Sequence, residues 1–135
     1  MALETWLKDF LAVHGGIAGT VHVLEGDVLK ISAAVNIPPP VVRATELIPK
    51  GKGMAGLAWE RDQVVAVCNL KTDQTGDVRP GAKAVDAQAA LAIPVHNQAG
   101  ALRAVVGIAF LGEREFGEQE LKAFEQAAAA LPESA

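Results

Sequence analysis

Five apolar residues near the amino terminus, Leu3, Trp6, Leu7, Phe10 and Leu11, recur at i, i+3, i+4, i+7 and i+8. That spacing lines one face of an α-helix. His14-Gly15-Gly16 ends it, because glycine takes the left-handed conformation past a last turn without strain. The stripe predicts either packing on a sheet or a seam between two copies, and the spacing suits both. From Gly19 to Ala34 the period changes to two. Val21, Val23, Val28, Leu29 and Ile31 flank the turn residues Glu25-Gly26-Asp27, which predicts a β-hairpin. His22 lies between two valines, so alternation sends it to the opposite face from both. A lone strand histidine is usually solvated or at the edge of a core, and it receives no role. Three prolines exclude regular structure over Asn36–Pro40, and Pro40 suits the first turn of a short helix through Val41–Ala44.

The middle of the chain, Ile48 to Asn69, carries Gly51, Gly53 and Gly56 in a Gly-x-Gly-x-x-Gly pattern. A dinucleotide turn needs a buried strand before it and a parallel second strand after it. Here Leu47-Ile48 is cut short by Pro49, and Lys52 precedes Gly53 where a phosphate loop has Ser or Thr. The glycines therefore read as backbone devices, for positive φ in a turn and close approach of a helix to a sheet. A helix is predicted over Met54–Arg61 and a strand over Val64–Leu70, joined by Asp62-Gln63. Val64, Ala66 and Cys68 share one face of that strand, and Val65, Val67 and Asn69 the other. Apolar residues on both faces predict a strand covered on both sides or beside a pocket. Lys71 to Gln88 is polar, broken by Gly76, Pro80 and Gly81, and longer than the usual ~4–6 residue connection. Such loops are where function is expected. Ala89–Val95 and Ala101–Leu111 read as strands around the turn Asn97–Gly100. A last helix begins at Glu118, with Leu121, Phe124, Ala128 and Leu131 on its apolar side.

Composition narrows the picture. The 135 residues, half of them hydrophobic, predict one globular domain over residues 1–135. A formal net charge of −4 with interspersed signs argues against nucleic acid as a partner. One cysteine excludes an internal disulfide and lacks the clustered spacing of a zinc site. No apolar run nears the ~20 residues that span a bilayer, and the amino terminus lacks a basic segment followed by an apolar core. A cytoplasmic location with no membrane partner is expected.

Pro49-Lys50-Gly51-Lys52-Gly53-Met54-Ala55-Gly56-Leu57-Ala58-Trp59-Glu60-Arg61 resembles the middle of a GAF domain. The later strands Ala90-Leu91-Ala92-Ile93-Pro94-Val95 and Val105-Val106-Gly107-Ile108-Ala109-Phe110, then Phe116 and the final helix, continue the resemblance over nearly the whole chain. It implies an α+β, profilin- or PAS-like fold, with an antiparallel sheet of five or six strands. Terminal helices would cover one face and pocket-forming loops and helices the other, the short proline-led helix being one wall. The implied function is that of a small-molecule-binding sensory module in signal transduction, its ligand and any cofactor unknown. Such a module is expected to be a homodimer through its terminal helices and to signal to a separate partner. Some members of the family reduce free methionine sulfoxide with several cysteines around the pocket, whereas this chain has Cys68 alone. Bilin-attaching members use a loop cysteine, and Lys71 to Gln88 has none. Asn69 and Lys71 suit the start of the cyclic-nucleotide signature, but its Phe, Asp and Glu do not follow in order.

Strand and loop positions give Met54, Cys68, Asn69, Asp73, Asp77, Arg79, Leu91 and Ile93 as candidate ligand contacts. Pockets of this kind are mostly apolar with a few placed polar groups. Cys68, in an apolar strand, is expected to be a buried inert thiol. Most of the charged loop residues Asp73, Asp77, Arg79, Lys83 and Asp86 are expected to be solvated, with one or two turned inward. Asp73, Asp77 and His96 could be drawn as metal ligands, but nothing in their spacing demands it, and no metal is expected. No Gly-x-Ser-x-Gly nucleophile turn is present. The chain is expected not to be an enzyme. A methionine-sulfoxide reductase using Cys68 is the one enzymatic alternative, and a ligand-free dimerisation scaffold is the third reading.

Overall fold

The computed structural model describes residues 2–67, 89–112 and 114–132. Its described elements, in chain order, are α1 (Ala2–His14), β1 (Ala18–Glu25), β2 (Val28–Val35), α2 (Pro39–Ala44), β3 (Leu47–Pro49), α3 (Gly53–Arg61), β4 (Val65–Val67), β5 (Ala89–His96), β6 (Leu102–Phe110) and α4 (Glu118–Ala128). The strands form one sheet in the order β3-β2-β1-β6-β5-β4. Every neighbouring pair is antiparallel. This is the α+β architecture, with an antiparallel sheet of six strands, that the resemblance implies.

Local chemistry sets the ends of the elements. Gly15, at φ 74°, closes α1, and the N–H of Gly16 returns to the carbonyl of Leu11 at 2.9 Å. That bond satisfies a carbonyl the helix leaves free. Pro39 and Pro40 open α2, where a missing N–H costs nothing. The proline at Pro49 is accommodated because β3 is a three-residue edge strand, paired only with β2. Gly51 and Gly53 take positive φ at the entry to α3. A Cβ on Gly56 would lie 2.6 Å from the carbonyl oxygen of Pro49, so the third glycine lets α3 lie against its own lead-in segment.

The sheet separates two packed layers. On one side α1 and α4 cover Val21, Leu91, Ile93, Val95, Val106, Ile108 and Phe110. The helical stripe supplies the matching surface: Leu7 is 0% exposed, Phe10 6% and Leu11 4%, with Phe124 and Ala128 of α4 and Leu131 just past it beside them. Leu7, Phe10 and Leu11 are thus taken up by the core, whereas Leu3 and Trp6 of the same stripe stay half-buried beside it, so charging Leu7 would test folding and cannot by itself test a seam. An aromatic ladder crosses this layer, Trp6 stacked on Phe10 at 4.9 Å, His14 4.6 Å from Phe10 and 5.0 Å from Phe124. On the other side α3 packs on Leu29, Ile48, Val65, Ala92 and Val105. Among the described residues no helix is long and apolar enough to cross a membrane.

Candidate functional site

Strand alternation makes the two faces unequal. The face toward α1 and α4 carries Leu91, Ile93 and Val95 on β5, and Val106, Ile108 and Phe110 on β6. The opposite face carries Ala90 and Ala92 on β5, Gly107 and Ala109 on β6, and Ala18 and Thr20 on β1. Register brings these six small residues together: Ala18 and Ala90 both pair with Ala109, and Thr20 and Ala92 both pair with Gly107. Small side chains in six adjoining positions leave a hollow that α2 and α3 roof without filling. The result is a cavity of about 150 Å³, walled by Ile37, Val41 and Thr45 on one side and by Ile48, Gly53, Met54 and Ala55 on the other. Gly107 is small by necessity, since a Cβ there would meet Thr20 Oγ1 at 2.8 Å.

His22 borders the same cavity and is only 3% exposed. A register shift between Val21 and His22 leaves Ser32 of β2 without a partner there, a bulge that locally re-aims the strand pair. His22 Nε2 lies 2.9 Å from the carbonyl oxygen of Thr45, just past α2, while its Nδ1 is buried without a partner among the described residues. Burial pushes the His22 pKa below its ordinary value, and the bond to Thr45 only partly opposes this. Thr45 Oγ1 is already committed, donating to the Val41 carbonyl at 2.8 Å. None of the described residues around the cavity is charged.

Of the sequence-derived candidates, Met54 sits in the cavity wall and touches both apolar clusters on that side. Leu91 borders the cavity along β5, although its side chain belongs to the layer beneath α1 and α4. Ile93 does not line the cavity. It is fully buried on the helix side, because the side chains of β5 that face the hollow are Ala90 and Ala92. Cys68, Asn69, Asp73, Asp77 and Arg79 lie outside the described residues, as does the whole of Lys71 to Gln88. His96 is engaged elsewhere, its Nε2 2.5 Å from Asp62 Oδ1 at the end of α3. Among the described residues no three His, Cys, Asp or Glu side chains converge as a metal site. Sequence reasoning missed His22, and it missed the six small floor residues. Their signal was present as Ala-Leu-Ala-Ile in β5 and Gly-Ile-Ala-Phe in β6, small and large side chains in strict alternation.

A family profile described as GAF domain matches residues 3–131. No curated protein matches the chain in sequence. Among solved structures, a type II free methionine-R-sulfoxide reductase from Thermoplasma acidophilum is similar at TM-score 0.72 and 19% identity, over 95% of this chain and 87% of that one. A free methionine-R-sulfoxide reductase from Neisseria meningitidis, solved with its substrate, gives TM-score 0.76 and 17% identity over 96% and 72%. The GAF domain of a phosphoenolpyruvate-protein phosphotransferase from Coxiella burnetii gives 0.73 and 20% over 95% and 79%. At these identities the likeness is one of fold. It nevertheless overturns the expectation that the chain is not an enzyme, because the fold it shares along nearly its full length is one that reductases use.

Proposed function

Because this chain belongs to the GAF domain family, we propose that it is a small-molecule-binding module whose ligand occupies the cavity between the β1-β6-β5 floor and the α2-α3 roof. The observation that carries this reading is the contrast between the two faces of one sheet. The same strands that pack Leu, Ile, Val and Phe beneath α1 and α4 present Ala, Gly and Thr to the opposite side. Apolar hollows with a few polar groups are the usual form of small-molecule sites. In this reading occupancy is relayed through the sheet to α1 and α4, and from them to a second copy or a separate signalling protein. Ile108 and Leu91 support such a relay, since both border the cavity and both belong to the core shared with Leu7, Leu11 and Phe124. Met54, and with it Cys68, Asn69, Asp73, Asp77 and Arg79, complete the ligand set we propose.

Native mass spectrometry of freshly purified protein tests the binding reading. A discrete extra mass, lost in Ala92→Leu, is the expected result; an extra mass that persists in that variant would place the ligand elsewhere.

A second reading is favoured by the two reductases among the structural neighbours. In it the chain reduces free methionine sulfoxide at the same cavity through Cys68, with an external thiol to resolve the sulfenic acid. Thiol-dependent turnover of methionine-R-sulfoxide, abolished in Cys68→Ser, is its expected signature. Equal turnover in the variant and the wild type would remove it.

A further inference from the structure

The chemistry of the cavity's occupant follows from one unsatisfied atom, given that the cavity is the ligand site. His22 is the one buried polar or charged side chain among the described residues. Its Nε2 faces the Thr45 carbonyl at 2.9 Å. A carbonyl oxygen only accepts, so in the neutral ring the proton sits on Nε2 and Nδ1 keeps a bare lone pair. That lone pair is shut away from bulk solvent and has no donor among the described residues. Buried acceptors are rarely left in this condition, because the hydrogen bond to water is lost with nothing in exchange. The ring borders the cavity, so a molecule within it can supply the missing donor.

The rest of the wall restricts that molecule further. Around His22 the described wall is apolar apart from Thr20 and Thr45, so the part of the ligand seated there is uncharged, because removing an unpaired charge from water is prohibitive. Thr20, the other uncommitted polar side chain on the floor, can both give and accept, so it does not discriminate between donors and acceptors. His22 does discriminate, since its free nitrogen can only accept. The volume, about 150 Å³, is that of a hollow known to hold a benzene-sized molecule. We propose that the cavity holds an uncharged, ring-sized, mostly apolar group of the ligand, which donates a hydroxyl or ring N–H hydrogen bond to His22 Nδ1.

Phenol, toluene and anisole are suitable probes, equal in ring size and differing in the donor. Their dissociation constants are measured by calorimetry on the wild type and on His22→Leu, which keeps an apolar wall and removes the acceptor. The toluene-to-phenol ratio of Kd is expected to fall about tenfold in the variant, the worth of one hydrogen bond, with anisole following toluene. An unchanged ratio overturns the role of His22 and leaves the cavity reading standing. Binding of none of the three to the wild type overturns both. The imidazole 15N spectrum of the wild type gives a readout independent of the variant's folding. The Nδ1 resonance is expected at the position of a free lone pair, moving upfield with phenol and not with toluene. A resonance already hydrogen-bonded before phenol is added, and unmoved by it, would show that water holds the site and would refute the proposal.

Discussion

A histidine between two valines of a strand has only two places to go, solvent or core, and the sequence around His22 does not choose between them. The structure buries it, and burial gives it a measurable signature. Its folded-state pKa is lowered from the ordinary 6.5, chiefly by desolvation, so the folded ring resists a proton that the unfolded ring accepts. Below pH 6.5 the unfolded chain therefore binds more protons, and stability falls as the pH drops toward the folded-state value. His14 contributes with the same sign, lowered by burial and by the nearby Arg114. Urea unfolding at a series of pH values should show this acid slope, reduced in His22→Leu and reduced further when His14→Asn is added. A slope unaltered by either substitution would mean that neither ring is held neutral. At the same scale Gly56 and Gly117 make a controlled pair. Alanine at Gly56 would press on the Pro49 carbonyl at 2.6 Å, whereas at Gly117 it meets nothing within 4 Å. Gly56→Ala is expected to cost about 1–3 kcal/mol and Gly117→Ala about 1 kcal/mol or less, as the loss of a glycine N-cap, both read from denaturant midpoints.

At the scale of the element, the parity of one strand decides what its residues do. Ala92 and Ile93 are neighbours in β5, yet one floors the cavity and the other is sealed beneath the helices. Ile93→Ala should therefore cost about 2–5 kcal/mol, as truncation in a packed core does, and leave probe binding in the cavity intact. Ala92→Leu should do the reverse: fill the hollow, abolish probe binding and cost far less stability. Chemical denaturation and calorimetry on the same two proteins separate these outcomes; loss of binding in Ile93→Ala with its stability unchanged would show the faces to be misassigned. The elements themselves were legible, since the helical stripe, the hairpin turns and the proline-led α2 each follow from a local rule. The site was less so. Alternation in Ala90-Leu91-Ala92-Ile93 was visible, but only pairing with Gly107, Ala109, Ala18 and Thr20 turns four separate small residues on β1 and β6, with two on β5, into one hollow. That is a property of register across three strands, and no single strand carries it. Strand position alone offers Leu91 and Ile93 as pocket residues, but the hollow lies where large side chains are missing, over Ala90 and Ala92.

For the molecule as a whole, the question the sequence left open was whether the terminal stripes build a core or an assembly. Burial answers for part of the stripe: Leu7 is sealed, whereas Val13, on the same helix, is 77% exposed, and Leu111 past the end of β6 is 70% exposed. Tertiary packing and self-association compete for the same kind of residue, which is why helical periodicity alone cannot separate them. Charge at each position does. Leu7→Asp buries an unpaired carboxylate in the layer shared by α1, α4 and the sheet, and should remove cooperative unfolding at pH 7, seen as loss of near-ultraviolet dichroism with ANS binding. Val13→Asp places the same group in solvent and should change the unfolding midpoint by no more than about 0.5 kcal/mol. Light scattering on the second variant then reads assembly without confusion from folding. A mass halved relative to the wild type would locate the contact between copies at the exposed carboxyl end of α1. An equal mass would exclude that end of the helix from any contact, and a folded, cooperative Leu7→Asp protein would contradict the core described here.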